Sequence, residues 1–220
     1  GGGDVTEIGY SLEPDARLEA NRQRPGPTTP GSWGTEAGER AFHASNLRAR
    51  DLLTQRAPRA RFHFLPLHLC HAASAFLVSP YEEAAVLVVD GIGEWGSTWL
   101  GLGRGTELTC LESVAFPHSL GFVWEKLSEL LGFDVYGGPG KVMGYGCITD
   151  PIGELSGRDH LAAMREVLGP DPGGTFRVDA DAFLLLSHQG GIRGTDGKPV
   201  ALGFHSGHYE LGLLMEAAAR

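Results

Sequence analysis

"HLCHAASAFLVSPYEEAAVLVVDGIGEWGSTWLGLG" runs from residue 68 to residue 103, and its reading decides the fold. His68 and His71 open it, in a run of small residues whose spacing predicts a helix over 68–78. Positions 68, 71, 72 and 75 share one face of that helix. Ser79-Pro80 ends it. Ala84 to Val89 is an unbroken apolar run, the pattern of a buried central strand. Asp90-Gly91-Ile92-Gly93-Glu94 turns the chain. Ser97 to Leu102 reads as a second strand, Gly103-Arg104-Gly105 as a turn, and Leu108 to Phe116 as a third strand. Three strands joined by short turns make an antiparallel meander.

Upstream, residues 1–35 form an expected loop-rich segment, because Pro25, Pro27, Pro30 and Gly31 break helices. Glu36 to Gln55 carries Ala41, Phe42, Leu47, Leu52 and Leu53 at helical spacing. Arg61 to Leu65 alternates like a short strand, stopped by Pro66. Downstream, Ser119 to Leu131 is amphipathic, with Ser119 as N-cap and Gly132 as stop. The glycine-rich "YGGPGKVMGYG" occupies 136–146. A helix is expected over Asp159–Leu168, a short strand in "FRVDADAFLLL", and a last helix from His208 to the end.

Composition narrows the function classes. Hydrophobic residues make up 42% and charged residues 20%, a globular mix. A net charge of −9 argues against a nucleic-acid surface. No run of 18 apolar residues exists, so no membrane-spanning helix is expected. Cys70, Cys110 and Cys147 form no CxxC pair, which fits reduced, structural thiols and a cytoplasmic location. The chain opens on Gly1-Gly2-Gly3 without Met or a signal pattern, as an internal piece of a longer protein would.

Three features carry candidate chemistry. In the DGIGE turn, Asp90 follows a strand and precedes glycines whose amides can approach an anion. An Asp-Gly hairpin of no chemical consequence has the same pattern. His68 and His71 at i, i+3 put two imidazoles on one helix face, which suits a metal ion and equally a structural pair. Lys141 sits among glycines like a cation in an anion cradle, without the GK[ST] of a P-loop. Trp95, Trp99 and Trp124 read as core.

Together, residues 68–95, "FPHSLGFVWEKLSELLGF" at 116–133 and "GKVMGYG" at 140–146 resemble the O-carbamoyltransferases of the nodulation-factor and cephamycin/tobramycin type. The resemblance spans roughly residues 60–150. It implies an α/β chain holding part of an actin-like ATPase (ribonuclease H-like) fold, with a three-stranded antiparallel meander and flanking helices. Residues 36–80 would end one subdomain, with the histidine-bearing helix, and 81–150 would start the next with its phosphate-type loop. Residues 151–220 would be a peripheral helical insert. A further YrdC-like domain, or a partner chain supplying it, is implied.

The implied activity passes a carbamoyl group from carbamoyl-adenylate, made from carbamoyl phosphate and ATP, to a hydroxyl of a small-molecule acceptor. An iron-type divalent metal is the implied cofactor. Family metal ligands fall at positions 67 and 71. Here these are Leu67 and His71, so His68 either takes the first place through a local shift or the metal site is weakened. The family motifs place Asp90, Gly91, Gly93, Glu94, Lys141 and Gly144 at the nucleotide phosphates. His68 and Asp90 are the expected catalytic residues, with His68 as proton acceptor. The alternative is a non-catalytic nucleotide-binding or assembly subunit whose site is completed by another chain.

Overall fold

The computed structural model describes residues 5–23, 34–130, 133, 137–144, 165 and 167–179. The chain divides into two compact units, Gly1–Pro117 and His118–Arg220. It is a mixed α/β protein. No helix among the described residues is long and apolar enough to cross a membrane.

The first unit opens with β1 (Glu7–Tyr10), α1 (Pro14–Gln23) and α2 (Glu36–Arg56). A strand and a ten-residue helix therefore lie within the stretch read as loop-rich. Pro14 stands at the first helical position, where its missing N–H costs nothing, and the prolines that break helices all follow Gln23. In α2 the apolar spacing misleads. Its buried residues are Glu39 and Asn46, while Phe42, Leu52 and Leu53 are exposed. Thr35 caps α2, accepting from the Gly38 amide. β1 pairs in parallel with β2 (Arg61–Phe64), the two helices forming the crossover between them.

α3 (Leu67–Phe76) follows directly. It buries His68, Ala72 and Phe76, spaced four apart, so this stripe faces the sheet. His71 lies off the stripe and is half exposed. The meander is as expected: β3 (Glu83–Val89), β4 (Gly96–Arg104) and β5 (Glu107–Ala115) pair antiparallel in that order. A two-residue turn closes β4 to β5, with Gly105 at φ 62° as a type II′ turn requires. The core joins Ala72 and Phe76 to Val86, Val88 and Trp99. Gly103 leaves the space the Phe76 ring fills, since a Cβ there would lie 2.6 Å from it.

β3 is the exception to its own sequence pattern. Among the described residues it is an edge strand, with Leu87 64% and Val89 48% exposed. Only its Val86–Val88 face lies in the core with Ala72 and Phe76 of α3; its other face has no such cover among the described residues.

The second unit holds α4 (Leu120–Leu130), a helical turn pair α5 over 138–144, and the hairpin β6 (Leu168–Pro170) and β7 (Phe176–Val178). Ser119 caps α4 as expected: its Oγ accepts the Phe122 amide at 3.0 Å. Val123, Leu127, Val142 and Val178 are buried. β7 supplies the short strand expected in "FRVDADAFLLL". Most of the helix expected over 159–168, and all of the one from His208, lie outside the described residues.

Candidate functional site

Two elements meet at the end of β3. The first turn of α3 brings His68 and His71. The chain leaving β3 brings Asp90, held by its amide on Ser97 O (2.8 Å) and by its Oδ1, which accepts the Gly91 amide (2.7 Å). Both imidazole Nε2 atoms lie 3.7 Å from Asp90 Oδ2. That is ion-pair range, beyond a hydrogen bond. The sequence features that began as separate helix and hairpin thus converge on one carboxylate oxygen.

The two histidines differ sharply. The His68 ring lies against two glycines of the hairpin. A Cβ on Gly93 would sit 3.4 Å from it and one on Gly96 3.2 Å. His68 is buried, and its Nε2 has no hydrogen-bond partner among the described residues. His71 presents half its side chain to solvent. The facing His68 imidazole holds the Asp90 carboxyl below its usual range, burial opposes this, and the Gly91 amide and the charges of both imidazoles add to the lowering. Burial, with Glu94 nearby, pushes the Cys70 thiol up, so it stays protonated at neutral pH.

The remaining turn residues are committed to structure. Gly93 N–H donates to Gly96 O at 2.8 Å. Glu94 Oε1 accepts two amides, from Glu13 and from Leu67, each at 3.0 Å. Pro66, at the N-cap of α3, makes no side-chain cap bond, so Glu94 satisfies the open helix end from across the chain. The amides of Gly91 and Gly93 are spent within the turn rather than presented as an anion cradle.

Lys141 and Gly144 lie in the second unit. Their stretch is the helix α5, where the Lys141 amide bonds Gly137 O (3.4 Å) and Lys141 Nζ lies 5.7 Å from the Phe133 ring centre. Trp124 Nε1 donates to Pro139 O (3.1 Å). His118, which precedes α4, places Nδ1 3.0 Å from Val178 O and serves the β7 backbone.

The metal expectation meets its own donor set. Position 67 is a leucine, with no donor atom. Among the described residues no group of three or more His, Cys, Asp or Glu side chains could hold a metal ion. His68 and His71 each approach the same Asp90 oxygen, but the three do not make such a group. The described residues do not by themselves fit a resident metal, and no step below runs through one.

Sequence reasoning missed Arg17 and Glu39. Arg17 Nε and Nη2 bond the Glu39 carboxylate at 2.8 and 3.2 Å, and Nη1 bonds Gly93 O at 3.1 Å. The first of three arginines in "PDARLEANRQR" reads as part of a solvated face, and no spacing links it to residues 22 and 76 positions away.

Residues 34–181 match the sequence profile described as "Carbamoyltransferase N-terminus". An uncharacterized protein, sll1178, from Synechocystis is 41% identical over 116 residues, 53% of this chain and 18% of that protein. Nodulation protein NolNO from Sinorhizobium fredii is 36% identical over 125 residues, 56% of this chain and 17% of its own length. D-xylonate dehydratase YjhG from Escherichia coli is 50% identical over 72 residues, 33% of this chain and 10% of that enzyme. The chain spans less than a fifth of each of these relatives. His68, His71 and Asp90 all fall inside the matched profile.

Proposed function

The chain belongs to the carbamoyltransferase N-terminus family, and from that premise we propose that it takes part in moving a carbamoyl group to a hydroxyl of a small-molecule acceptor. The donor is carbamoyl-adenylate, formed from carbamoyl phosphate and ATP by a domain or chain beyond this one. One observation carries the site: two imidazoles flank the Asp90 carboxylate at equal distance, and only His71 is open.

That asymmetry assigns the roles. Asp90 faces His71 Nε2, so Nδ1 is the nitrogen left to accept a proton. The acceptor oxygen bonds to the carbamoyl carbon and its proton passes to His71. The carbon–oxygen bond to the phosphate breaks, and its electron pair leaves with the nucleotide. Asp90, held ionised, steadies the imidazolium that forms. His68, buried behind Asp90, sets where the carboxylate stands. This moves the proton-accepting role from His68, where the sequence put it, to His71. Lys141 is proposed as a phosphate contact on its motif match alone.

The test is transfer from supplied carbamoyl-adenylate to a polyol or amino-sugar acceptor, comparing the parent with His71→Ala. General-base loss lowers the rate by roughly 10²-fold or more. Equal rates would sink the assignment of His71. A parent chain without any transfer would favour the second reading, an assembly subunit that completes its site with another polypeptide. Leu67, at the position where the family carries a ligand, favours that reading too.

A further inference from the structure

The hairpin that carries Asp90 is short, and its own bonds do not tie it to the helices beside it. Asp90 N to Ser97 O and Gly93 N to Gly96 O only close the hairpin on itself. Beside the Phe116 amide, which donates to Trp95 O at 2.9 Å, two contacts among the described residues tie it to the helices. One is Glu94, which joins it to Glu13 and to the head of α3. The other is Arg17, whose Nη1 reaches Gly93 O while Nε and Nη2 bond Glu39 of α2. Arg17 and Glu39 are 6% and 4% exposed, and the guanidinium stacks 4.6 Å over the Phe42 ring.

Gly93 is also one of the two glycines against which the His68 ring lies, Gly96 being the other. Pulling Gly93 O toward Arg17 therefore sets the wall behind His68, and through His68 the place of Asp90. We propose that Arg17 is a positioning residue: its fork, steered by Glu39, holds the Gly93 wall against His68 so that Asp90 stays between the two imidazoles. Three bonds in fixed directions call for a planar fork. Lysine carries a point charge on a flexible stem and cannot make them together. Arg17 precedes the residues matched by the family profile, while Glu39 and Gly93 lie within it. The inference rests on reading His68, His71 and Asp90 as the reacting group.

The experiment uses the full chain with Arg17→Lys and with the double change Arg17→Met, Glu39→Met. The double change removes both charges together and leaves neither buried alone. Two signals are read by NMR: exchange of the Gly93 amide, relative to the Trp99 amide in the central strand, and the ring-proton shift of His68, relative to surface His63. We expect Gly93 exchange to speed up at least tenfold more than Trp99 exchange in both variants, with the His68 shift moving and the His63 shift fixed. Equal change at Gly93 and Trp99, or no change at either, overturns the proposal. Neither signal needs turnover, so a parent inactive in transfer would break the catalytic reading and leave this one to its own result.

Discussion

The DGIGE turn and the GGPGKVMG stretch look alike in sequence, each a charged residue set among glycines, and the structure treats them in opposite ways. The first is a hairpin turn clasped from outside by Glu13, Arg17 and Leu67. The second is a short helix fixed by the buried Val142 and by one indole bond to Pro139 O. In the first, an imidazole lies against Gly93 and Gly96, and a Cβ on Gly96 would press on it at 3.2 Å. In the second, a Cβ on Gly140 or Gly144 would meet nothing within 4 Å, whereas one on Gly138 would lie 2.9 Å from Phe133 Cβ. Glycine density alone therefore does not mark an anion cradle. What separates the two is where the backbone amides and the neighbouring side chains are spent.

Removing the clasp should break the contrast most. Glu94→Ala leaves the amides of Glu13 and Leu67 without their carboxylate, in a part-buried place. Two charge-assisted bonds lost there cost about 3 kcal/mol, whereas Glu94→Gln keeps one acceptor oxygen and costs about 1 kcal/mol. Urea denaturation of the two variants measures the difference. If alanine proves no worse than glutamine at this position, the clasp is not what holds the turn.

Acid offers a gentler probe of the same region. The Asp90 carboxyl is lowered in the folded chain, chiefly by the facing His68. A lowered carboxylate contributes stability that is complete above its ordinary range and is lost as the pH falls through its folded value. The stability gap between the parent and Asp90→Asn should therefore be widest above pH ~5 and close as the solution is acidified below the ordinary carboxylate range. A gap that stays constant over that window would mean Asp90 acts only through its shape.

Much of this architecture was legible in the sequence. The meander, α3 and α4 with its Ser119 cap all follow from local pattern, whereas only the family resemblance joined the histidine helix to the Asp90 turn. The failures have physical causes. α1 begins at a proline that helices tolerate only in their first turn, so a proline-rich neighbourhood hid it. α2 buries Glu39 in an ion pair, so its apolar spacing pointed to the wrong face. β3 has the composition of an interior strand but stands at the sheet edge. At the candidate site, residue type and spacing marked the histidines and Asp90 only as candidates, equally open to a structural reading. Their division into a buried and an open imidazole was not legible, because it is set by Gly93 and Gly96 packing on one ring only.

The smallest expected effect sharpens the comparison by sign. Gly96→Ala places a methyl 3.2 Å from the His68 ring, tighter than ordinary contact, so the ring must give. It can move only toward Asp90 or out of its berth, and the strain costs about 1 kcal/mol. Gly140→Ala meets open space within a helix, where alanine loses less conformational freedom on folding than glycine. It should stabilise the chain by roughly 0.5–1 kcal/mol. Paired denaturation curves would show midpoints moving in opposite directions. Both moving the same way would mean that the glycines of the two stretches serve one purpose, and that the contrast between a clasped turn and a free-standing helix is misdrawn.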